Sequence, residues 1–253
     1  MSFPVNDQSR PDPRLLRLRQ SIFFVSLPFG ILMFALPLVG RSLGASALEI
    51  GGLFSTFALM LVVLRPFVGR GLDRFGRRPF LVAGLLGYAL ANAGYALAGN
   101  LWGLYMARLS QGLGSGLMWL AAYAIVADLA PAGHRGGRYG QIEEMASRGG
   151  IFGAAIGFTV LGFLGRGNLA DGAGWSTLFW LYTATSLAGA LIAWRGVPET
   201  LPRHMKTPRQ VEDSGVPNSF GQVAGPLLMP GAAPRRMKTF VVTTSVIRPG
   251  RGD

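Results

Sequence analysis

Residues 69–78 read GRGLDRFGRR, with five charged positions (Arg70, Asp73, Arg74, Arg77 and Arg78) in a chain whose charged residues are only 14% of the total. Apolar runs flank the stretch on both sides, Ile50 to Val68 before it and Pro79 to Leu97 after it. Each run has about the 20 residues that an α-helix needs to cross a bilayer core. Charge confined to a short break between two such runs is the pattern of a turn outside the hydrocarbon. Composition agrees: half of the 253 residues are hydrophobic, 37 are glycine, and the mean hydropathy is +0.37, outside the range of soluble domains.

Four further runs complete a set of six: Ile22 to Val39, Leu104 to Leu129, Gln141 to Leu164 and Thr177 to Val197. The expected fold is therefore an all-α membrane protein with six transmembrane helices. A net charge of +12 and a pI near 11.3 would suggest nucleic acid if the basic residues formed one face. They fall instead in clusters between spans, which favours membrane topology and excludes a nucleic-acid partner. There is no cysteine, and His134 and His204 are the two histidines. Disulfides and thiolate or histidine-rich metal sites are thereby set aside, and no metal or cofactor is implied.

The breaks alternate in basic content. Arg10, Arg14, Arg17 and Arg19 precede the first span, Arg70, Arg74, Arg77 and Arg78 follow the second, and Arg135 and Arg138 follow the fourth; Arg41 and Arg166 stand alone on the other side. Lys and Arg near span ends are retained in the cytoplasm, so both termini are expected there, in a multi-pass protein of the cell (inner) membrane. Trp102 and Trp175 at outer span ends and Trp194 near an inner one suit an interfacial aromatic belt, with Trp119 and Trp180 deeper as packing residues. The first span with Ala45-Ser46-Ala47 also resembles a signal sequence, but it is long for a signal core and five spans follow. Residues 1–20 form a basic cytoplasmic N-terminus, 21–202 the six-span unit, and 203–253 a Pro, Gly and Arg-rich tail expected to be disordered. Phe240 to Ile247 within the tail reads as a strand without a partner.

Within GRGLDRFGRR, Gly69, Gly71 and Gly76 are expected to supply the freedom of a tight turn. The arginines fix orientation, but acidic residues contribute little to it, so Asp73 needs another reason. A carboxylate among four guanidiniums at a helix junction suits an ion-pair latch that biases one helix packing over another.

The stretch resembles the loop 2-3 signature of the major facilitator superfamily: Gly69, Asp73-Arg74, then Gly76-Arg77-Arg78, with Gly71-Leu72 departing from the family's more frequent larger-then-small pair. Upstream, EIGGLFSTFALMLVVLRPFVGR (49–70) is similar to second helices of that family. RLSQGLGSG (108–116) resembles its helix 4 motif through Arg108, Gln111 and Gly112. ADLAP and HRGGRYG, within 127–140, resemble its basic loop 4-5, and VPETLP (197–202) resembles the end of its amino-terminal half. The resemblance implies the amino-terminal half of that fold and secondary transport of a small solute by alternating access. It also implies a latch in which Asp73 and Arg77 engage Asp128 at the end of helix 4, against the alternative of a solvated helix end.

Arg108 lies about 10 Å inside the fourth span, where a charge costs about 2.5–3.5 kcal/mol unless it faces a cavity or partner. The resemblance gives Arg108 and Gln111 a role in substrate binding or proton coupling; the alternative is an arginine bonded to neighbouring carbonyls. In the fifth span Glu144 and Arg148, four apart, can neutralise each other. Glu143 has no partner within its helix and lies about one turn from the inner end, a candidate for reversible protonation. Gly149, Gly153 and Gly157 form a small-residue seam for close helix approach, with Ala154 where the family's antiporter motif places proline. An intramembrane serine protease at Ser115-Gly116 is disfavoured, because no span holds a histidine to act as base. Because the family's working unit has two six-helix halves, this chain implies a lost second half through truncation or frameshift, pairing of two copies, or a membrane protein that does not transport.

Overall fold

In the computed structural model, residues 12–164 and 172–201 are described. Six long helices follow one another: α1 (Pro13–Ser42), α2 (Ala47–Phe75), α3 (Arg77–Leu97), α4 (Leu101–Leu129), α5 (Arg135–Leu164) and α6 (Gly172–Gly196), with a 3-10 turn at Ala132–His134. All six are long and apolar enough to cross a membrane, and no strand occurs among the described residues. The tail expectation for 203–253, with its Phe240 to Ile247 segment, lies outside them. Residues 13–20, read as part of a separate basic N-terminus, instead continue α1 and bury Leu15 and Leu18.

Helix ends follow local chemistry. Asp12 accepts from the Arg14 N–H at 2.9 Å with Pro13 at the first helical position, the arrangement favoured at N-termini. Ser46 and Glu49 form a capping box on α2, which gives the small residues at 45–47 a role as a helix start. Asn100 caps α4 through the Gly103 N–H at 2.8 Å.

GRGLDRFGRR is less of a turn than its glycines suggest. α2 runs through to Phe75 and α3 begins at Arg77, leaving Gly76 as the joint, with φ +104°. Gly69 and Gly71 are helical. A helical glycine costs about 1 kcal/mol relative to alanine, which packing offsets: Leu72 is buried, and a Cβ on Gly71 would lie 2.4 Å from the Phe80 ring. Within this stretch positive φ is needed at Gly76 alone, where residues with a Cβ are strained.

α1 packs on α5 and α6, α3 on α4 and α6, and α2 chiefly on α4. Lipid tails are as apolar as leucine, so close backbone approach, not water exclusion, holds such helices together. The expected seam on α5 meets α1: a Cβ at Gly149 would lie 2.6 Å from the Phe23 carbonyl oxygen, at Gly153 1.7 Å from that of Leu27, and at Gly157 2.8 Å from Ile31. Two apolar clusters fill the interior. One, around Leu18, Leu85 and Ile125, is at the basic end; the other, around Leu36, Leu104 and Phe179, is at the opposite end.

The tryptophans are placed differently from expectation in two cases. Trp175 is interior, donating its indole N–H to the Tyr95 carbonyl at 2.6 Å and packing on Phe179, whereas Trp180 is exposed. The rotation of α6 against α3 decides this, which distance from a span end does not report. Trp102 and Trp194 are exposed near span ends as expected.

Gly153→Leu is expected to cost about 1–3 kcal/mol or more by forcing α5 off α1, read as a lowered melting temperature in detergent. Gly162→Leu, where an added side chain meets open space, is expected to leave it unchanged.

Candidate functional site

Two groups of polar side chains stand out in this apolar bundle: one at the basic end, one in a central cavity. At the basic end, α3 starts without a side-chain cap from its own segment. Its first N–H groups need acceptors, and Glu199, just beyond α6, supplies them: Oε1 accepts from Arg77 at 2.9 Å and Oε2 from Arg78 at 3.3 Å. A Cβ at Gly76 would lie 2.3 Å from Glu199 Oε2, so this joint needs glycine for space as well as for φ.

The Arg77 guanidinium lies between two carboxylates, 3.3 Å from Asp73 and 3.1 Å from Asp128. Its Nε approaches Asp128 closely enough for an ion pair without aligning for a hydrogen bond, while Nη1 donates to the Leu72 carbonyl at 3.0 Å. The Arg77 side chain is 10% exposed, Asp128 25% and Asp73 71%. The better-shielded arm is therefore Asp128, since exposed pairs contribute little. Thr200 donates to Asp128 at 2.8 Å, and Arg78 donates to the Trp194 carbonyl. The structure thus brings Asp73, Gly76, Arg77, Arg78 and Asp128 together. Gly69 and Arg74 stand apart, Arg74 lying over the Phe75 ring at 5.3 Å.

Burial pushes the Glu199 carboxyl up, but backbone N–H donors of Leu201, Arg77, Arg78 and Thr200 outweigh it and hold it below its ordinary 4.5. A depressed carboxyl stabilises fully above its unfolded value, and that contribution fades as pH falls through the lower folded value. Glu199→Ala should accordingly cost about 0.5–2 kcal/mol at neutral pH, as lost caps do. The gap in melting temperature from the unmutated chain should narrow as the pH falls below 4.5.

The central cavity, about 510 Å³, is walled by Phe29, Phe54, Phe57, Tyr88, Trp119 and Tyr123, with Arg65, Arg108, Gln111, Ser115 and Glu143 among its polar groups. Arg108 is 5% exposed. Its Nη1 donates to Gln111 Oε1 at 2.6 Å, and the same oxygen accepts from the Tyr95 hydroxyl at 2.9 Å. The guanidinium carbon lies 4.9 and 5.4 Å from the Phe54 and Phe57 ring centroids, contacts worth up to about 2 kcal/mol each when desolvated. Among the described residues no carboxylate pairs with Arg108, and its Nε has no hydrogen-bond partner. Arg108 is held in place while its charge remains uncompensated at the cavity wall.

Glu143 also lines this cavity and accepts from the Tyr123 hydroxyl of α4, a partner that inspection of α5 alone could not reveal. α5 starts at Arg135, so Glu143 sits about 12 Å along the helix from that end. Glu144 and Arg148 form their expected pair at 2.5 Å, with both side chains about half exposed, outside the cavity lining. Arg65 escaped notice because a single arginine inside an apolar run was absorbed into the span, although the depth argument applied to Arg108 would have found it. Glu199 and Thr200 stood in a recognisable motif, but their contacts span more than 70 residues of sequence.

Comparison with known proteins places this geometry. The sequence model of the Major Facilitator Superfamily matches residues 21–246. The chain is 29% identical over 146 residues to Multidrug resistance protein 2 of Bacillus subtilis, covering 58% of this chain and 36% of that protein. It is 26% identical over 137 residues to the quinolone resistance protein NorA of Staphylococcus aureus, covering 54% and 35%. Among solved structures, the human organic anion transporter MFSD10 (TETRAN) matches with a TM-score of 0.64 at 21% identity, over 79% of this chain and 51% of that one. The chain therefore spans between 35% and 51% of the length of these proteins. With six apolar helices in the matching fold and the family model covering most of its length, this multi-pass membrane protein belongs to the Major Facilitator Superfamily, a family of transporters and not of enzymes.

Proposed function

We propose that the chain supplies one six-helix half of a secondary transporter that moves a small amphiphilic solute by alternating access. The observation that carries this reading is the aromatic cavity with Arg108 uncompensated at its wall. Six aromatic rings offer apolar contact, and one fixed guanidinium offers a directed bond to an acceptor group on the solute. The multidrug and quinolone resistance proteins among its relatives support a solute of that kind.

Asp73, Arg77 and Asp128, with Gly76 and Arg78 around them, act as the latch of one state. Opening the cavity at the basic end requires these pairs to part. The coupling ion is the proton, with Glu143 as its carrier and Tyr123 as the neighbour that responds to its protonation. Ten basic residues against two support a cytoplasmic side for the latch and both termini.

A second reading, a membrane protein or half-subunit that binds without transporting, draws on the 35–51% coverage of its relatives. Flux decides between them. In proteoliposomes with an imposed pH gradient, the 253-residue chain should accumulate an aromatic amphiphile bearing one acidic group. Arg108→Gln should weaken apparent affinity about tenfold or more, as loss of a charged hydrogen bond does, and Asp128→Asn, which removes the better-shielded arm of the latch, should abolish flux while leaving membrane insertion intact. Quenching of Trp119 without flux would leave the binding-only reading, and unchanged flux in Asp128→Asn would sink the latch.

A further inference from the structure

The cavity holds two guanidiniums, and the function proposed above uses only that of Arg108. Phe54, Phe57, Leu61 and Arg65 follow one another at helical spacing along one face of α2, and all four line the cavity. Arg108 reaches this face from α4, its guanidinium carbon 4.9 and 5.4 Å from the Phe54 and Phe57 ring centroids. Arg65 stands eight residues past Phe57, a rise of about 12 Å. The contact between the two helices gives the same spacing independently. A Cβ on Gly112 would lie 2.6 Å from Met60 Cβ, and one on Gly116 3.2 Å from Leu64 Cδ1, so α2 and α4 run side by side in the same direction. Gly116, level with Leu64 and its neighbour Arg65, lies eight residues past Arg108, again about 12 Å.

Arg65 is exposed and forms no ion pair with a described residue. Glu143, the carboxylate among the lining groups, is engaged by the Tyr123 hydroxyl instead. Two guanidiniums against one carboxylate leave the cavity with an excess of positive charge, which apolar surroundings make costly. The geometry points to Arg65 as a second anion subsite, and to an elongated aromatic solute with an acidic group at each end. One acid pairs with Arg108, the other with Arg65, and the body between them lies against Phe57 and Leu61. Guanidinium and carboxylate pair through two parallel N–H···O bonds, which fixes the direction of each end of the solute. Arg65 is then a specificity residue, separating dianions from the one-acid solutes that Arg108 alone would hold. This role for Arg65 rests on the cavity being the solute site.

Calorimetric titration of the full chain in nanodiscs at neutral pH tests this with biphenyl and terphenyl para-dicarboxylates and the monomethyl ester of each. Acid and ester have nearly the same apolar body and differ in the second negative charge. At the better-fitting length the dicarboxylate should bind about tenfold tighter than its ester, the worth of one charged hydrogen bond. In Arg65→Gln that preference should vanish. Arg65→Lys, which keeps a point charge without the planar fork, should show an intermediate preference, and Arg108→Gln should weaken both probes. An Arg65→Gln chain that keeps the preference would overturn the subsite, as would an unmutated chain that binds acid and ester alike at both lengths. In either case ester binding that is lost in Arg108→Gln would leave the cavity standing as the solute site. Failure of every probe to bind the unmutated chain would overturn the subsite and the solute site together. If Arg65→Gln does not fold, Arg65→Lys decides, and a preference equal to that of the unmutated chain overturns the subsite.

Discussion

The amino terminus of α3 is the point on which the other helices depend. α2 and α3 meet with one residue between them, which leaves no chain to cap the second helix, and the first N–H groups of α3 therefore need an acceptor from elsewhere. Glu199 supplies it from beyond α6. That contact brings the end of the bundle back to its second connection and sets Thr200 against Asp128 of α4. Asp128 is then in reach of Arg77. Backbone capping and the ion pairs at the basic end are one construction: the Glu199 carboxylate holds the N–H groups of Arg77 and Arg78 while the Arg77 side chain bridges α2 and α4.

The central cavity follows a different rule. In water the affinity of Arg108 for a carboxylate would be a surface matter; in an apolar bundle an unpaired guanidinium is costly. The cost is met by neutral groups: a glutamine oxygen that Tyr95 holds in place, and two phenylalanine faces from α2. Because none of these carries charge, the electric field of Arg108 is not cancelled. Anchoring without neutralisation distinguishes it from Arg77, which is neutralised by two carboxylates, and from Arg148, which is neutralised by Glu144.

Helix contact in this protein rests on missing side chains. Gly149, Gly153 and Gly157 bring α5 onto α1, and Gly84 and Gly114 do the same for α3 and α4, where an added Cβ on Gly114 would lie 2.7 Å from the Gly84 carbonyl oxygen. Backbone-to-backbone contact leaves each pair only one rotation, and that rotation fixes which residues face the cavity. Phe54, Arg108 and Glu143 become neighbours of one space through seams on which none of them lies.

Six spans, their order and the alternation of basic breaks were legible in the sequence, because hydrocarbon admits only helices with internally satisfied backbones and because apolar length and arginine are local properties. The Glu144–Arg148 pair and the glycine seam were legible for the same reason, being set by helical periodicity. Gly69 and Gly71 misled, since glycine permits a turn without requiring one, and the packing of Leu72 and Phe80 kept α2 helical through them. The capping of α3 by Glu199, the Tyr123–Glu143 bond and the inward turn of Trp175 were decided by tertiary structure alone. Each depends on how one helix is rotated against another, and that rotation is fixed by contacts between residues that lie far apart along the chain.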